Sequence, residues 1–273
     1  MKWTPEADAA LKNVPFFVRK KVRARVEQEA RQAGLAMVDL ATVTLAQQRF
    51  LSGQASEIKG FQLDACFGPR GCPNRTQPVD GLLPRITALL EQADLLTFLK
   101  RHVEGPLKFH HEFRISLAEC PNACSQPQIK DIGIIGACTP RLAAADCSHC
   151  EACVAVCRES AVATCDDRLL PVIDHSRCVA CGQCLAVCPS GTLAADQQGF
   201  RVQLGGKLGR HPRLGRELPG IFCADEVLAI VAACLAFYKQ NSRNGRRFAE
   251  LLDAAAFERL AARFAQNHSV PGP

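Results

Sequence analysis

The sequence predicts an α+β protein in three parts. These are a small helical segment at 1–53, an α/β sandwich half assembled from 60–140 and 192–268, and a cysteine-dense insert at 141–195. Three observations carry that reading. Apolar residues recur at helical spacing through the opening segment. Strand-like alternation and helical patterns then mix along the rest of the chain. Two compact four-cysteine runs sit between two of the strand-like stretches.

The elements follow in order. Thr4 before Pro5 is a helix start, with proline in the first turn. Over 16–33, Val18, Val22, Val26 and Ala30 fall on one face, and Arg19, Lys20, Arg23, Glu27 and Arg31 on the other. Gly34 stands where a left-handed cap ends that helix. A third helix is expected over 40–51, ending at Ser52-Gly53. Helical pattern returns over 82–99. Phe113, Ile115 and Leu117 alternate with Arg114, Ser116 and Ala118, a strand leading to Cys120. A buried strand is expected over 129–136. Gly199 opens another at 200–204, followed by a loop with Gly205, Gly206 and Gly209 that His211-Pro212 closes. Helices over 225–240 and 247–264 finish the chain, with Asn244-Gly245 as the turn between them.

At 273 residues the chain can bury a sizeable core, and 48% of it is apolar. The net charge of +6 is mild; it suits an acidic redox partner or an anionic substrate. Residues 1–10 are polar and lack the apolar core of a secretory signal. The apolar stretch 227–238 is shorter than the roughly 20 residues a bilayer requires. A cytoplasmic protein without a membrane span is expected, and in that reducing setting sixteen cysteines point to metal ligation before disulfides. The basic residues at 19–25 alternate with valine and precede Glu27 and Glu29, which reads as a solvated helix face; no nucleic-acid partner is expected.

Cys147, Cys150, Cys153 and Cys157, then Cys178, Cys181, Cys184 and Cys188 with Pro189, each follow C-x2-C-x2-C-x3-C. The spacing is that of bacterial two-cluster ferredoxins, in which the fourth cysteine of each run serves the other cluster. Three thiolates of one tight loop cap three irons of a cube, and the fourth comes from the repeat. One 4Fe–4S cluster is then expected on Cys147, Cys150, Cys153 and Cys188. A second is expected on Cys178, Cys181, Cys184 and Cys157. Arg158 stands where a ferredoxin has proline, which bears on the turn more than on ligation. The competing reading is a pair of zinc knuckles, which leaves the doubled register unexplained.

A further group is split, with Cys66 and Cys72 as C-x5-C and Cys120 and Cys124 as C-x3-C. Together with Cys120-Pro-Asn-Ala-Cys, Asp131-Ile-Gly-Ile and Gly205-Gly-Lys-Leu-Gly-Arg-His-Pro, it resembles the nitrite and sulfite reductase hemoproteins. The likeness covers roughly 61–140 and 192–264. It implies a third 4Fe–4S cluster on Cys66, Cys72, Cys120 and Cys124, with Cys124 bridging to the iron of a siroheme. It also implies Gly205, Gly206 and Arg210 at the cofactor, and sulfite or nitrite as substrate. Trp3-Thr-Pro-Glu-Ala and 14–23 resemble the small C-terminal helical domain found in light-independent protochlorophyllide reductase; an amphipathic docking module accounts for the same residues.

Cations must neutralise siroheme carboxylates and the oxyanion. Arg70, Arg75, Lys108, Arg114, Lys130, Lys207 and Arg210 are the candidates. His110 and His111 are candidate proton donors, against the plainer role of hydrogen-bonded edge residues. His149 lies in the first tight run and His211 in the glycine loop, both with plain solvent-facing alternatives. Cys138, Cys165, Cys223 and Cys234 remain as small hydrophobes, Cys138 being the one placed to lie near the split group. Full-length reductases of the resembled family carry two homologous halves, and this chain has one. Three functions stay open: a half-length siroheme reductase, a three-cluster electron carrier, and an accessory subunit. An electron-donor protein or redox subunit is the expected partner in each, and an oligomer is allowed.

Overall fold

The computed structural model describes residues 1–164 and 170–265; Cys165 and the end of the 192–268 segment lie outside them. The chain divides into two compact units. One is Met1–Ile58 with Gly105–His110; the other is Lys59–Glu104 with the chain from 111 onward.

In the first unit, β1 (Lys2–Trp3) leads into α1 (Pro5–Lys12), capped by the Thr4 hydroxyl, which accepts from Ala7 N at 3.3 Å. α2 (Phe16–Gln32) ends at Gly34, where φ is 71° and Leu35 N–H returns to Ala30 O at 2.9 Å. β2 (Met37–Val38) pairs parallel with β1. Asp39 caps α3 (Leu40–Glu57) through Thr42 N–H at 2.8 Å. Ala7, Val26, Ala30, Val38 and Ala46 form the core, with Trp3, Val22 and Val43 against it. Val18, expected to face inward, stays partly exposed. α3 also runs past Ser52-Gly53 to Glu57; one glycine costs a helix interior about 1 kcal/mol, too little to end it.

The second unit is organised by a five-stranded sheet. β3 (Phe61–Ala65) is followed by α4 (Leu82–Ala93), α5 (Leu95–His102) and β4 (Phe113–Ala118). The helix expected over 82–99 is thus two helices. Asp94 takes φ 43° and caps α5 through Thr97 N–H. β5 (Ile132–Leu142) begins later than expected because Pro127–Ile129 close a 3₁₀ turn first. The insert holds α6 (Ala152–Val156), β6 (Val162–Ala163), β7 (Val172–Ile173) and α7 (Gln183–Ala186). β8 (Leu193–Leu204) and β9 (Arg216–Glu217) complete the sheet, in the order β3-β4-β5-β8-β9. β3, β4 and β5 are parallel; β8 runs antiparallel to β5 and β9.

The long β5–β8 ribbon therefore carries the insert at its end. Gly199 lies inside β8, not at its start, because a Cβ there would collide with the Phe222 carbonyl. α8 (Ala224–Asn241) buries Val227, Ile230, Val231 and Cys234. The turn at Asn244-Gly245 has φ of 52° and 70°. The helix expected over 247–264 splits into α9 (Phe248–Leu251) and α10 (Ala254–Ala265), which Asp253 caps through Ala256 N–H at 2.7 Å.

Asp131 sits at the foot of β5, 1% exposed, accepting from Arg114 N at 2.9 Å. Burial pushes its carboxyl up to about 6, against the opposing pull of the Arg114 N–H and the Arg247 guanidinium. The folded state then holds a proton that the unfolded chain releases near 3.8. Stability carried by this group is present below 3.8 and is lost as pH rises through about 6. Asp131→Asn is expected to gain on the order of 1 kcal/mol relative to wild type between pH 5 and pH 7. Urea unfolding at both values measures this, and parallel pH profiles for the two proteins would refute it.

Candidate metal centres

Cys66 follows β3 and Cys120 follows β4, so the register Ala65↔Leu117 brings two distant cysteines to the same end of the sheet. Cys66 N–H continues the ladder to Leu117 O at 2.9 Å. The 3₁₀ turn Gly68–Arg70, closed by Gly71 at φ 103°, folds Cys72 back. Ala123 at φ 53° does the same for Cys124. The four thiols line one hollow with Phe67, Arg75 and Glu119. Cys124 is exposed at its edge, and the other three are partly buried.

Burial raises the Cys120 thiol, and the neighbouring Cys124, Cys72 and Cys66 raise it further against the opposing Asn122 N–H. Four thiolates this close repel one another, and iron relieves that repulsion. Donors already point at sulfur: Glu119 N–H to Cys66 Sγ at 3.4 Å and Asn122 Nδ2 to Cys124 Sγ at 3.0 Å.

Glu119 holds the hollow together. It is 1% exposed. Its carboxylate pairs with Arg75 Nε at 2.8 Å and accepts from Val79 N at 3.0 Å. Its carbonyl accepts from Thr76 N at 2.9 Å and Gln77 N at 3.0 Å. Gly68 leaves room for that carboxylate; an added Cβ would overlap it.

The insert shows the repeat in its backbone. His149 (φ 54°) and Glu151 (φ 55°) match Ala180 (φ 58°) and Gly182 (φ 68°), and Ser160 (φ 50°) matches Gly191 (φ 71°). Left-handed residues between the cysteines turn successive thiols inward. Cys147, Cys150, Cys153 and Cys188 line one small cavity. Burial pushes the Cys184 thiol up to about 12, and nearby Cys181, Cys178 and Cys157 add to it. The fourth cysteine of each run thus stands with the other run. His149 N–H points to Cys147 Sγ, Ala161 N–H to Cys157 Sγ and Ala180 N–H to Cys178 Sγ, at 3.4, 3.2 and 3.4 Å. Among the described residues no three His, Cys, Asp or Glu converge on a single-ion position; the split thiols and the Cys147–Cys188 set each line a hollow instead.

The other candidates separate. Arg75 is held by Glu119 and Asp80, and Lys130 by Asp64 at 2.7 Å. Arg114 lies beside Asp131. Arg70 and Arg210 are exposed, and Lys108 belongs to the other compact unit. Gly205 and Gly206 lie where β8 ends beside Ile132, the far end of β5 from the Cys120 level and about 20 Å along the strand. Gly205 N–H binds Asp131 O at 2.8 Å, and Gly206 packs against the Gln128 and Lys130 carbonyls. The hollow lined by the four thiols includes neither glycine, nor Arg210. His110 and His111 lie on the 3₁₀ turn before β4, at its other end from Cys120. His149 and His211 are exposed. Cys223 is exposed before α8, and Cys234 is fully buried.

Cys138 lies against the second tight run, not the split group. Its N–H donates to Ala180 O at 2.8 Å, and it bridges Cys181 in parallel. Sequence reasoning passed over Glu119, Thr76 and Gly68. The available signal was a lone acidic residue between an apolar strand and Cys120.

A parallel-antiparallel sheet with cysteines gathered at one end and a twin-run insert defines an iron–sulfur redox protein of the sulfite reductase type. Residues 63–270 match the family model "Nitrite and sulphite reductase 4Fe-4S domain", and the chain belongs to that family. Residues 3–47 match a second model, "Proto-chlorophyllide reductase 57 kD subunit". A "Coenzyme F420-dependent sulfite reductase" of Methanocaldococcus jannaschii is 30% identical over 169 residues, 61% of this chain and 25% of that protein. A light-independent protochlorophyllide reductase polypeptide of Prochlorococcus marinus is 52% identical over 48 residues, 18% of this chain and 9% of that one. The crystal structure of dissimilatory sulfite reductase I superposes with a TM-score of 0.51 at 16% identity, covering 82% of this chain and 58% of that chain; this shows a shared fold. The chain spans about a quarter or less of the curated relatives' lengths.

Proposed function

We propose that this chain is the iron–sulfur half of a siroheme-dependent sulfite reductase, nitrite being the alternative substrate. The two tight runs of the insert would hold two ferredoxin-type 4Fe–4S clusters able to take electrons from a donor protein or redox subunit. Cys66, Cys72, Cys120 and Cys124 would hold a third, able to pass them on. The observation that carries this reading is the single hollow lined by those four thiols from two distant loops, with Cys124 exposed at its edge. The family's relatives named as sulfite reductases favour sulfite.

The donor sets fit iron–sulfur cubes: four thiols each, with N–H groups aimed at sulfur that stabilise the more negative, reduced cluster. Cys124 Sγ is the atom that would hold a siroheme iron from this side. When bound, siroheme supplies the site at which a multi-electron reduction of the anion proceeds. This chain's own residues position the cubes, tune them, and present one thiolate outward. Because Arg75 and Lys130 already hold carboxylates, the cations that would meet siroheme and oxyanion are Arg70 and a complement from a second polypeptide. The helical unit is read as the docking module, with exposed Phe16 and Phe17 beside Lys20 and Lys21. The engagement of Arg75 and Lys130 is also what favours the second reading, a three-cluster carrier without siroheme.

Anaerobic purification from cells that make siroheme decides between them. About twelve irons with matching labile sulfide per chain, together with siroheme absorption toward the red, are expected. Twelve irons without siroheme bands, with or without the partner half, would leave the carrier.

A further inference from the structure

We propose that Thr76 and the Glu119 peptide form the electron bridge between the third cluster and the insert, and that the Cys157–Cys178–Cys181–Cys184 site is therefore the proximal one. This rests on the reading that the split thiols hold a cluster. The geometry is a chain of three hydrogen bonds joined by covalent links. Glu119 N–H points to Cys66 Sγ at 3.4 Å. The Glu119 carbonyl accepts from Thr76 N at 2.9 Å. The Thr76 hydroxyl then donates to the carbonyl of Cys181 at 2.9 Å. From sulfur to sulfur the route crosses no open van der Waals gap.

Electron coupling decays far less along covalent and hydrogen bonds than through space, so such a route dominates between the two centres it joins. With clusters bound, the transfer would be a single electron leaving a reduced cube held by Cys181 and entering an oxidised cube held by Cys66. No proton moves and no bond breaks.

The surroundings hold the bridge in place. Thr76 Cγ2 and the Cys138 side chain both pack where a Gly182 Cβ would stand, at 3.8 and 3.3 Å. Cys138 N–H pins the same loop through Ala180 O at 2.8 Å. Arg201 anchors it separately, through Val179 O at 3.3 Å and the Glu217 carboxylate. The Cys147–Cys188 site has no such link to the split thiols among the described contacts. It is the entry point for electrons from the donor.

Thr76→Val keeps the volume and removes the hydroxyl, and Thr76→Ser keeps the hydroxyl. The experiment is flash reduction of the anaerobic holoprotein, followed by rapid-freeze EPR of the three clusters. Thr76→Val is expected to slow equilibration between the two sites several-fold, with iron content and midpoint potentials unchanged. Thr76→Ser is expected to equilibrate at the wild-type rate. Arg201→Gln, which loosens the loop without cutting the route, is expected to leave the rate near wild type. An unchanged rate in Thr76→Val, or equal slowing in Arg201→Gln, overturns the bridge. Loss of iron in Thr76→Val would make Thr76 a structural pin and overturns it too. A wild-type protein with iron only at the two tight runs instead overturns the three-cluster reading itself.

Discussion

Cys157→Ala is expected to cost the protein the cluster of the second tight run, leaving that of its own run intact. Iron should fall from about twelve to about eight per chain, the content of one cube. Cys178→Ala should give the same loss. The decisive measurement is the pair of double variants. Cys157→Ala with Cys178→Ala removes two ligands of one cube and should lose no more iron than either alone. Cys157→Ala with Cys147→Ala strikes two cubes and should leave about four irons. Strong non-additivity is the signature of groups acting as one unit. The expectation follows from placement: Cys157 stands with Cys178, Cys181 and Cys184, and Cys188 with Cys147, Cys150 and Cys153. If the 157/147 pair behaved as one unit and the 157/178 pair as two, the crossed assignment would be wrong. Folding of each variant is checked by the helical circular dichroism of the two units, which the cavities do not support.

What the sequence disclosed and what it withheld divide along a physical line. Thiolate ligation is local chemistry, so C-x2-C-x2-C-x3-C made both candidate insert sites legible, and the repeat gave the crossing that the proposal uses. Thr4, Gly34 and Asn244-Gly245 work through their own backbone, and each was legible at its position. The Asp94 break was not, because an aspartate inside an apolar helical pattern looks like an exposed residue until its left-handed φ of 43° is seen. Gly53 looked like a stop, but packing elsewhere on α3 outweighs one glycine's propensity. The parts of the split site beyond its cysteines are long-range. Glu119 meets Arg75, Val79 and Cys66 across forty positions or more. No spacing rule encodes such a carboxylate. The glycine loop is the reverse case. Its motif resembles a family signature; in the fold Gly206 packs against the Gln128 and Lys130 carbonyls, and Gly205 takes a left-handed φ of 77° at the foot of β5.

Gly136→Ala should be among the most damaging single methyl additions in the second unit. Gly136 lies on β5 beside the end of β4. A Cβ there would sit 2.8 Å from the Glu119 carbonyl carbon and 3.0 Å from Gln77 Cβ, and closer still to the Glu119 oxygen. The obstruction is backbone, so no rotamer relieves it. β5 must part from the Glu119 peptide, whose carbonyl is the acceptor for Thr76 and Gln77. Overpacking of this kind costs about 3 kcal/mol or more where the neighbours cannot move. The damage should also be selective. The carbonyl being displaced belongs to the same residue whose N–H is aimed at Cys66, so iron at the split site should be lost while the two insert cubes remain, giving about eight irons. Gly81→Ala is the matched control: it has ordinary backbone angles and open space around its Cβ, and should stay within about 0.5 kcal/mol of wild type. Urea midpoints of the cluster-free chains measure the first effect, and iron analysis of the anaerobic holoproteins the second. A Gly136→Ala protein with wild-type midpoint and twelve irons would mean that the Glu119 peptide is not the rigid support of the third site. The split thiols would then owe their arrangement to the metal rather than to the fold.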